Sequence, residues 1–188
     1  MRACVVAVLL AAATPAVADT YGVMLEGGLS DVRGRQIVGF GPVVQTTVGH
    51  GRLQLVAEAG GGILGASHIS EKVGIYAGAR VGGRVLAASL ASAPSLGVDV
   101  QLVLDGGLGL QRYWLDGAGT VDRPYAFLGW GTLIAGRHRA LAFALRITAA
   151  PEIDDPTALR VLCRGVCPRT DDAHADFSIE LVFGVTTW

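Results

Sequence analysis

The stretch Phe177-Ser178-Ile179-Glu180-Leu181-Val182-Phe183-Gly184-Val185, close to the C-terminus, decides the fold. Phe177, Ile179, Leu181, Phe183 and Val185 take every second position, with Ser178, Glu180, Val182 and Gly184 between them. A strand has a period of two residues, so this segment has one apolar face and one face of small or polar side chains. The alternation recurs upstream: Val98, Val100, Leu102 and Leu104 share one side, and Asp99, Gln101, Val103 and Asp105 the other.

Working outward, eight strand-length segments follow one another, at 20–30, 36–48, 51–66, 71–87, 96–114, 123–136, 138–150 and 174–188. Each reaches the roughly 9–11 residues that a tilted strand needs to cross a bilayer. The expected fold is therefore all-β, a single antiparallel up-and-down transmembrane β-barrel of eight strands over 19–188. Glycine within the segments, as at Gly60-Gly61-Gly62 and Gly82-Gly83, suits a small barrel, where the backbone must bend and the interior is narrow.

Residues 1–18 read as a signal peptide. Arg2 supplies a positive start, Ala3 to Ala13 is apolar, and Ala16-Val17-Ala18 is a small-residue cleavage pattern. The apolar run is too short for a spanning helix, which needs about 20 residues. The chain is nearly neutral, with a formal net charge of −1, and so offers no basic field for nucleic acid. Charged residues make up 16% of the chain and apolar residues 51%. High apolar content without a long apolar run is what alternating lipid-facing strands produce.

With both termini periplasmic, the connections Ser30–Arg35, Ser67–Ser70, Leu115–Asp122 and Pro151–Ala173 face outward, and 151–173 is a long outer surface loop. Gly49–Gly51, Ala88–Ser95 and Gly136–His138 are then the inner turns. Long outside and short inside is the usual asymmetry of such barrels.

The polar face is mostly Gly, Ala, Ser and Thr, and Lys72 is the chain's one lysine. That face is too thin to be a soluble exterior, which argues that it lines the lumen. Its charges then form a network: Glu26, Glu58, Asp99, Asp105 and Glu180 against Arg52, Arg80, Arg84 and Arg146. Folding the third and fourth segments about His68 sets Glu58 level with Arg80, and the adjacent seventh and eighth segments let Arg146 approach Glu180. Buried ions must be paired, so the network is expected to fill the lumen. A narrow ion path is the alternative, and the tight interior of an eight-stranded barrel favours the plug. A soluble periplasmic lipocalin-like barrel that binds a ligand is a further alternative, and it would fractionate without detergent. Tyr21 and Trp188 are expected at the inner rim and Tyr113, Trp114 and Tyr125 at the outer rim, with Phe40, Phe127, Phe143 and Phe183 facing acyl chains.

Cys163 and Cys167 remain after the leader is removed. A cysteine pair in an exported chain favours a disulfide. Zinc with His174 or Asp171 is the rival, but two thiolates alone do not complete a tetrahedral site. No nucleotide, haem or metalloprotease motif implies a cofactor.

These features resemble the small eight-stranded outer-membrane β-barrel proteins of Gram-negative bacteria, the OmpA/OmpX-like superfamily, over the whole mature chain. The resemblance implies location in the cell outer membrane, contact with outer-membrane lipid, and recognition of a terminal aromatic by the barrel-assembly machinery. Trp188 matches that signal in type and place. It departs in phase, having the parity of Glu180 and Gly184, and a bulge or a terminal twist near Thr186-Thr187 would restore it. The implied role is non-enzymatic, structural or in surface interaction, with any surface ligand met by the outer loops. The lipid A deacylase family, whose members use a Ser with a His two residues earlier and a Glu, is the enzymatic alternative. His68-Ile69-Ser70 has that spacing, with Glu71 adjacent.

Overall fold

The computed structural model describes residues 20–32, 35–49, 51–66, 72–95, 97–163 and 175–187. The strands are β1 (Thr20–Val32), β2 (Arg35–Val48), β3 (Leu53–Ala66), β4 (Lys72–Ala93), β5 (Val98–Leu115), β6 (Gly119–Ala135), β7 (Arg139–Pro151) and β8 (Ala175–Thr187). Each pairs antiparallel with the next, and β8 pairs with β1, so the sheet closes into a barrel with no free edge. The first and last strands therefore begin and end at the same rim, called the inner end here.

Alternation sets the orientation of every strand. In β8, Phe177, Ile179, Leu181, Phe183 and Val185 are exposed, whereas Ser178, Glu180, Val182 and Thr186 are buried. Val23, Leu25 and Leu29 of β1, Leu53 and Leu55 of β3, and Leu128 and Trp130 of β6 continue the exposed apolar surface around the wall. An apolar belt of this extent does not persist in water. Its place is the hydrocarbon of a bilayer. No helix among the described residues is long and apolar enough to cross a membrane.

Register follows the sequence closely. Glu58 lies opposite Arg80 and Arg146 opposite Glu180. Between β2 and β3 the pairing lapses at Gly41 and Pro42 and resumes in step, because Pro42 has no N–H to donate. The strands come so close there that a Cβ on Gly62 would collide with the Phe40 carbonyl oxygen, and one on Gly41 with that of Gly61. Only glycine fits this crossing.

Three connections differ from expectation. The strand β4 runs on to Ala93, with irregular register at Leu86/Ala88 and Ser89/Ala91. Those irregularities break the period-two pattern, which makes Ala88–Ala93 look like a bland loop in sequence. The outer connection expected over Leu115–Asp122 shortens to 116–118, since Trp114 pairs with Thr120 and Arg112 with Asp122. The long outer segment carries a helix, α1 (Pro156–Leu162). The Asp155 side chain caps it, accepting from the backbone N–H of Thr157 at 2.8 Å and of Ala158 at 3.3 Å, and Pro156 suits the first turn. Ala158, Leu159 and Leu162 are buried with Ile153 against Val32, Ile37, Leu64, Val73, Tyr76, Tyr113 and Leu115. This apolar cluster caps the outer end of the barrel.

A charge placed on the belt should cost stability according to depth. Leu128→Arg, at the middle of β6, is expected to destabilise by about 2–4 kcal/mol, and Leu53→Arg, at the inner end of β3, by only about 0–1 kcal/mol. Urea unfolding of the barrel refolded into lipid vesicles measures both.

Candidate functional site

The lumen is layered. At its middle, Glu58 from β3 is the hub. Arg146 donates to it through both terminal nitrogens, Nη1 to Oε2 at 2.9 Å and Nη2 to Oε1 at 2.7 Å. Such a two-bonded fork is the strongest form of charge-assisted contact. The same Nη2 reaches Asp105 Oδ2 at 3.0 Å. Arg80 donates through Nε to Glu58, through Nη2 to Glu26, and through Nη1 to Glu180 Oε2 at 3.2 Å. Gln45 Nε2 adds a donor to Glu58 at 2.5 Å. Phe127 lies beneath both guanidiniums, whose carbons are 5.7 Å (Arg80) and 5.5 Å (Arg146) from its ring centre, within cation–π range.

Towards the outer end, Arg123 donates to Asp176 Oδ2 at 2.9 Å and to the Tyr113 hydroxyl at 3.2 Å, and Tyr113 donates to Gln111 Oε1 at 3.0 Å. A cavity of about 30 Å³ lies between this layer and the hub, lined by Glu26, Ser30, Tyr76, Gln111 and Glu180 among others. It has room for a water molecule or so. The apolar cluster with α1 packs above this layer. Towards the inner end the lumen widens into a cavity of about 340 Å³.

The structure brings Glu26, Glu58, Asp105, Glu180, Arg80, Arg84 and Arg146 together inside the barrel, all buried. Two expected members are elsewhere. Arg52 is exposed in the turn before β3, because the strand begins at Leu53 and not at residue 51. Asp99 sits at the inner rim, level with Ala135, the last residue of β6. There it accepts from Ser89 Oγ at 2.8 Å and Gln101 Nε2 at 2.6 Å. Although Arg146 faces Glu180 in register, its guanidinium crosses the lumen to Glu58 and Asp105 instead.

The pair Arg123–Asp176 is a lumen contact that charge spacing missed, although Asp176 has the parity of Glu180. Three aromatic assignments also change. Tyr113, Tyr125 and Phe127 are buried inside rather than at the outer rim or on the lipid face. Phe127 shares parity with Gly129, whose missing side chain leaves room for Asp105 and Arg146. Phe40, Phe143 and Phe183 are exposed on the wall, and the rings of Phe143 and Phe183 meet at a tilt of 44° with centres 4.7 Å apart.

His68, Ser70 and Glu71 lie outside the described residues, as do Cys167 and Trp188. Cys163, just after α1, is disulfide-bonded. The pairing of β8 with both neighbours runs in step through Thr187, with no bulge at Thr186-Thr187. Among the described residues, no group of three His, Cys, Asp or Glu side chains is placed to hold a metal.

The closed ring of β1 to β8 with charged interior and apolar wall has counterparts among solved structures. The Neisserial surface protein A, NspA, superposes with a TM-score of 0.55 at 12% identity, covering 89% of this chain and 95% of that one. The fold is that of the small eight-stranded outer-membrane barrels. Ail, the attachment invasion locus protein of Yersinia pestis, matches with a TM-score of 0.43 at 9% identity over 89% of this chain and 97% of its own. No protein-family model matches the sequence. No curated protein matches it either.

The hub should behave as one unit. Arg146→Gln strands Glu58 and Asp105 without their main cation and should destabilise by about 3–5 kcal/mol. Glu58→Gln in the same chain should restore part of that loss, so the double change costs less than the sum of the single ones. A double-mutant cycle by urea unfolding reads the coupling directly.

Proposed function

We propose that this protein is a non-enzymatic integral outer-membrane barrel whose lumen is closed and whose outer segments serve envelope structure or surface contact. The observation that carries this reading is the stack inside the ring. The hub Glu58–Arg146–Arg80 sits across the middle, the Arg123–Asp176 pair above it, and the apolar cluster with α1 over the outer mouth. A conducting pore needs a wet, continuous path, and these layers oppose one.

The partners that follow are outer-membrane lipid against the exposed belt, the barrel-assembly machinery at β8 and Trp188, and a surface ligand at the outer segments. The Neisserial relative in fold is named as a surface protein, and the same exposure is proposed for this chain.

Two measurements test the reading. In isolated outer membranes the unboiled protein should migrate differently from the boiled protein on a denaturing gel. In planar bilayers it should give no steady conductance. A protein that is soluble without detergent defeats the membrane reading, and a stable open channel defeats the closed lumen.

A further inference from the structure

The geometry points to an oxyanion-binding site in the inner half of the barrel, built on Arg84 and open to the periplasm. The inner cavity of about 340 Å³ is lined by Thr20, Gln54, Arg84, Leu86, Gln101 and Thr186, among others. Among the described residues no carboxylate lines it. Its volume is at the lower end of small-molecule pockets.

Arg84 is buried, only 6% exposed. Its Nε has no hydrogen-bond partner among the described residues. Its contact with Asp105 Oδ2 is long, at 3.5 Å, and that same oxygen is held at 3.0 Å by Arg146. Asp105 Oδ2 is thus shared with Arg146, and its Oδ1, also without a hydrogen-bond partner among the described residues, lies against Gly129, so the Arg84 Nε donor is left unused. A buried donor without an acceptor is costly and calls for an explanation. The Nε and Nη2 donors of a guanidinium lie on one edge and match two oxygens of a carboxylate or phosphate. An oxyanion in the cavity would satisfy both.

Charge at the mouth points the same way. Arg52 and Arg139 are exposed at the inner end, where Asp99 is the acidic residue among the described residues. A positive mouth raises the local concentration of small anions. The wall is closed and the hub and apolar cap lie above, so entry is from the inner end. That this end meets the periplasm rests on the outer-membrane reading above.

The test uses the mature chain refolded in non-ionic detergent, with arginine side-chain N–H signals followed by NMR. Sodium phosphate and sodium acetate are titrated separately against sodium chloride at matched ionic strength. The Arg84 Nε–H signal is expected to move and saturate in the millimolar range with one or both oxyanions and not with chloride. Saturation with phosphate alone assigns a phosphate group as ligand, and with acetate alone a carboxylate. Followed through the side-chain amide signals of Gln54 and Gln101, which also line the cavity, Arg84→Gln should raise the dissociation constant roughly tenfold to a hundredfold, the worth of a charge-assisted bond. Ala135→Trp, which fills the cavity without touching Arg84 chemically, should abolish saturation. An Arg84 signal that stays still, or that moves only as Arg52, Arg137 and Arg139 do, overturns the site. So does unaltered binding in Ala135→Trp. Gel heat-modifiability is scored on the same sample: a chain that folds as a barrel but does not bind sinks the site alone, whereas one that forms no barrel sinks both readings.

Discussion

The structure depends on the desolvation of Glu58. A carboxylate at the centre of an eight-stranded barrel has lost its water, and the idealised cost of that transfer exceeds the whole net stability of an ordinary domain. It is held there only because two guanidiniums and the amide of Gln45 surround it. Everything near it serves those contacts. Gly129 stays small where Asp105 and Arg146 meet, and Phe127 gives the cations an aromatic floor. The outside of the wall answers the opposite requirement, with a belt of Leu, Val, Ile and Phe that lipid can solvate and water cannot.

The two faces are coupled by the strand period. A one-residue slip anywhere in β8 would carry Glu180 into lipid and Leu181 into the ion cluster. Register is therefore specified from both sides of the sheet at once. Among the buried side chains are five carboxylates, Glu26, Glu58, Asp105, Asp176 and Glu180, and four guanidiniums, Arg80, Arg84, Arg123 and Arg146. The near balance is local as well as global, since Arg123 and Asp176 satisfy each other apart from the hub.

Most of the fold was legible because it is carried by one signal repeated eight times. The alternation in β8 and β5 assigned faces correctly, and folding the third and fourth segments about His68 set Glu58 level with Arg80, which lies opposite it. What escaped the sequence has particular causes. Irregular register in β4 disguised strand as loop. Arg52 lay one residue outside a strand boundary that a turn glycine blurred, Gly51 having φ +74°. Tyr113, Tyr125 and Phe127 were placed by residue type, as membrane aromatics, although their parity assigned them to the lumen. The Asp155-Pro156 start of α1 was a readable capping signal inside a segment whose charge suggested only a solvated loop. Cross-lumen partners such as Arg146 and Glu58 are beyond strand pairing, because they sit on strands that are not neighbours.

That last feature bears on how the barrel is made. Glu58 and Arg146 are 88 residues apart, and Arg80 and Glu180 are 100 apart. Hairpin formation between sequential strands brings neither pair together. The hub is assembled only when β8 meets β1 and the cylinder shuts. Until then its carboxylates and guanidiniums need water, so an open, partly inserted sheet must carry a hydrated groove along its polar face. Closing the ring expels that water and forms the cross-lumen ionic contacts in the same event. The lumen charges are thus a late reward for correct closure, slow to reach because of their sequence separation, and a sheet closed out of register would be left with dehydrated ions and no partners.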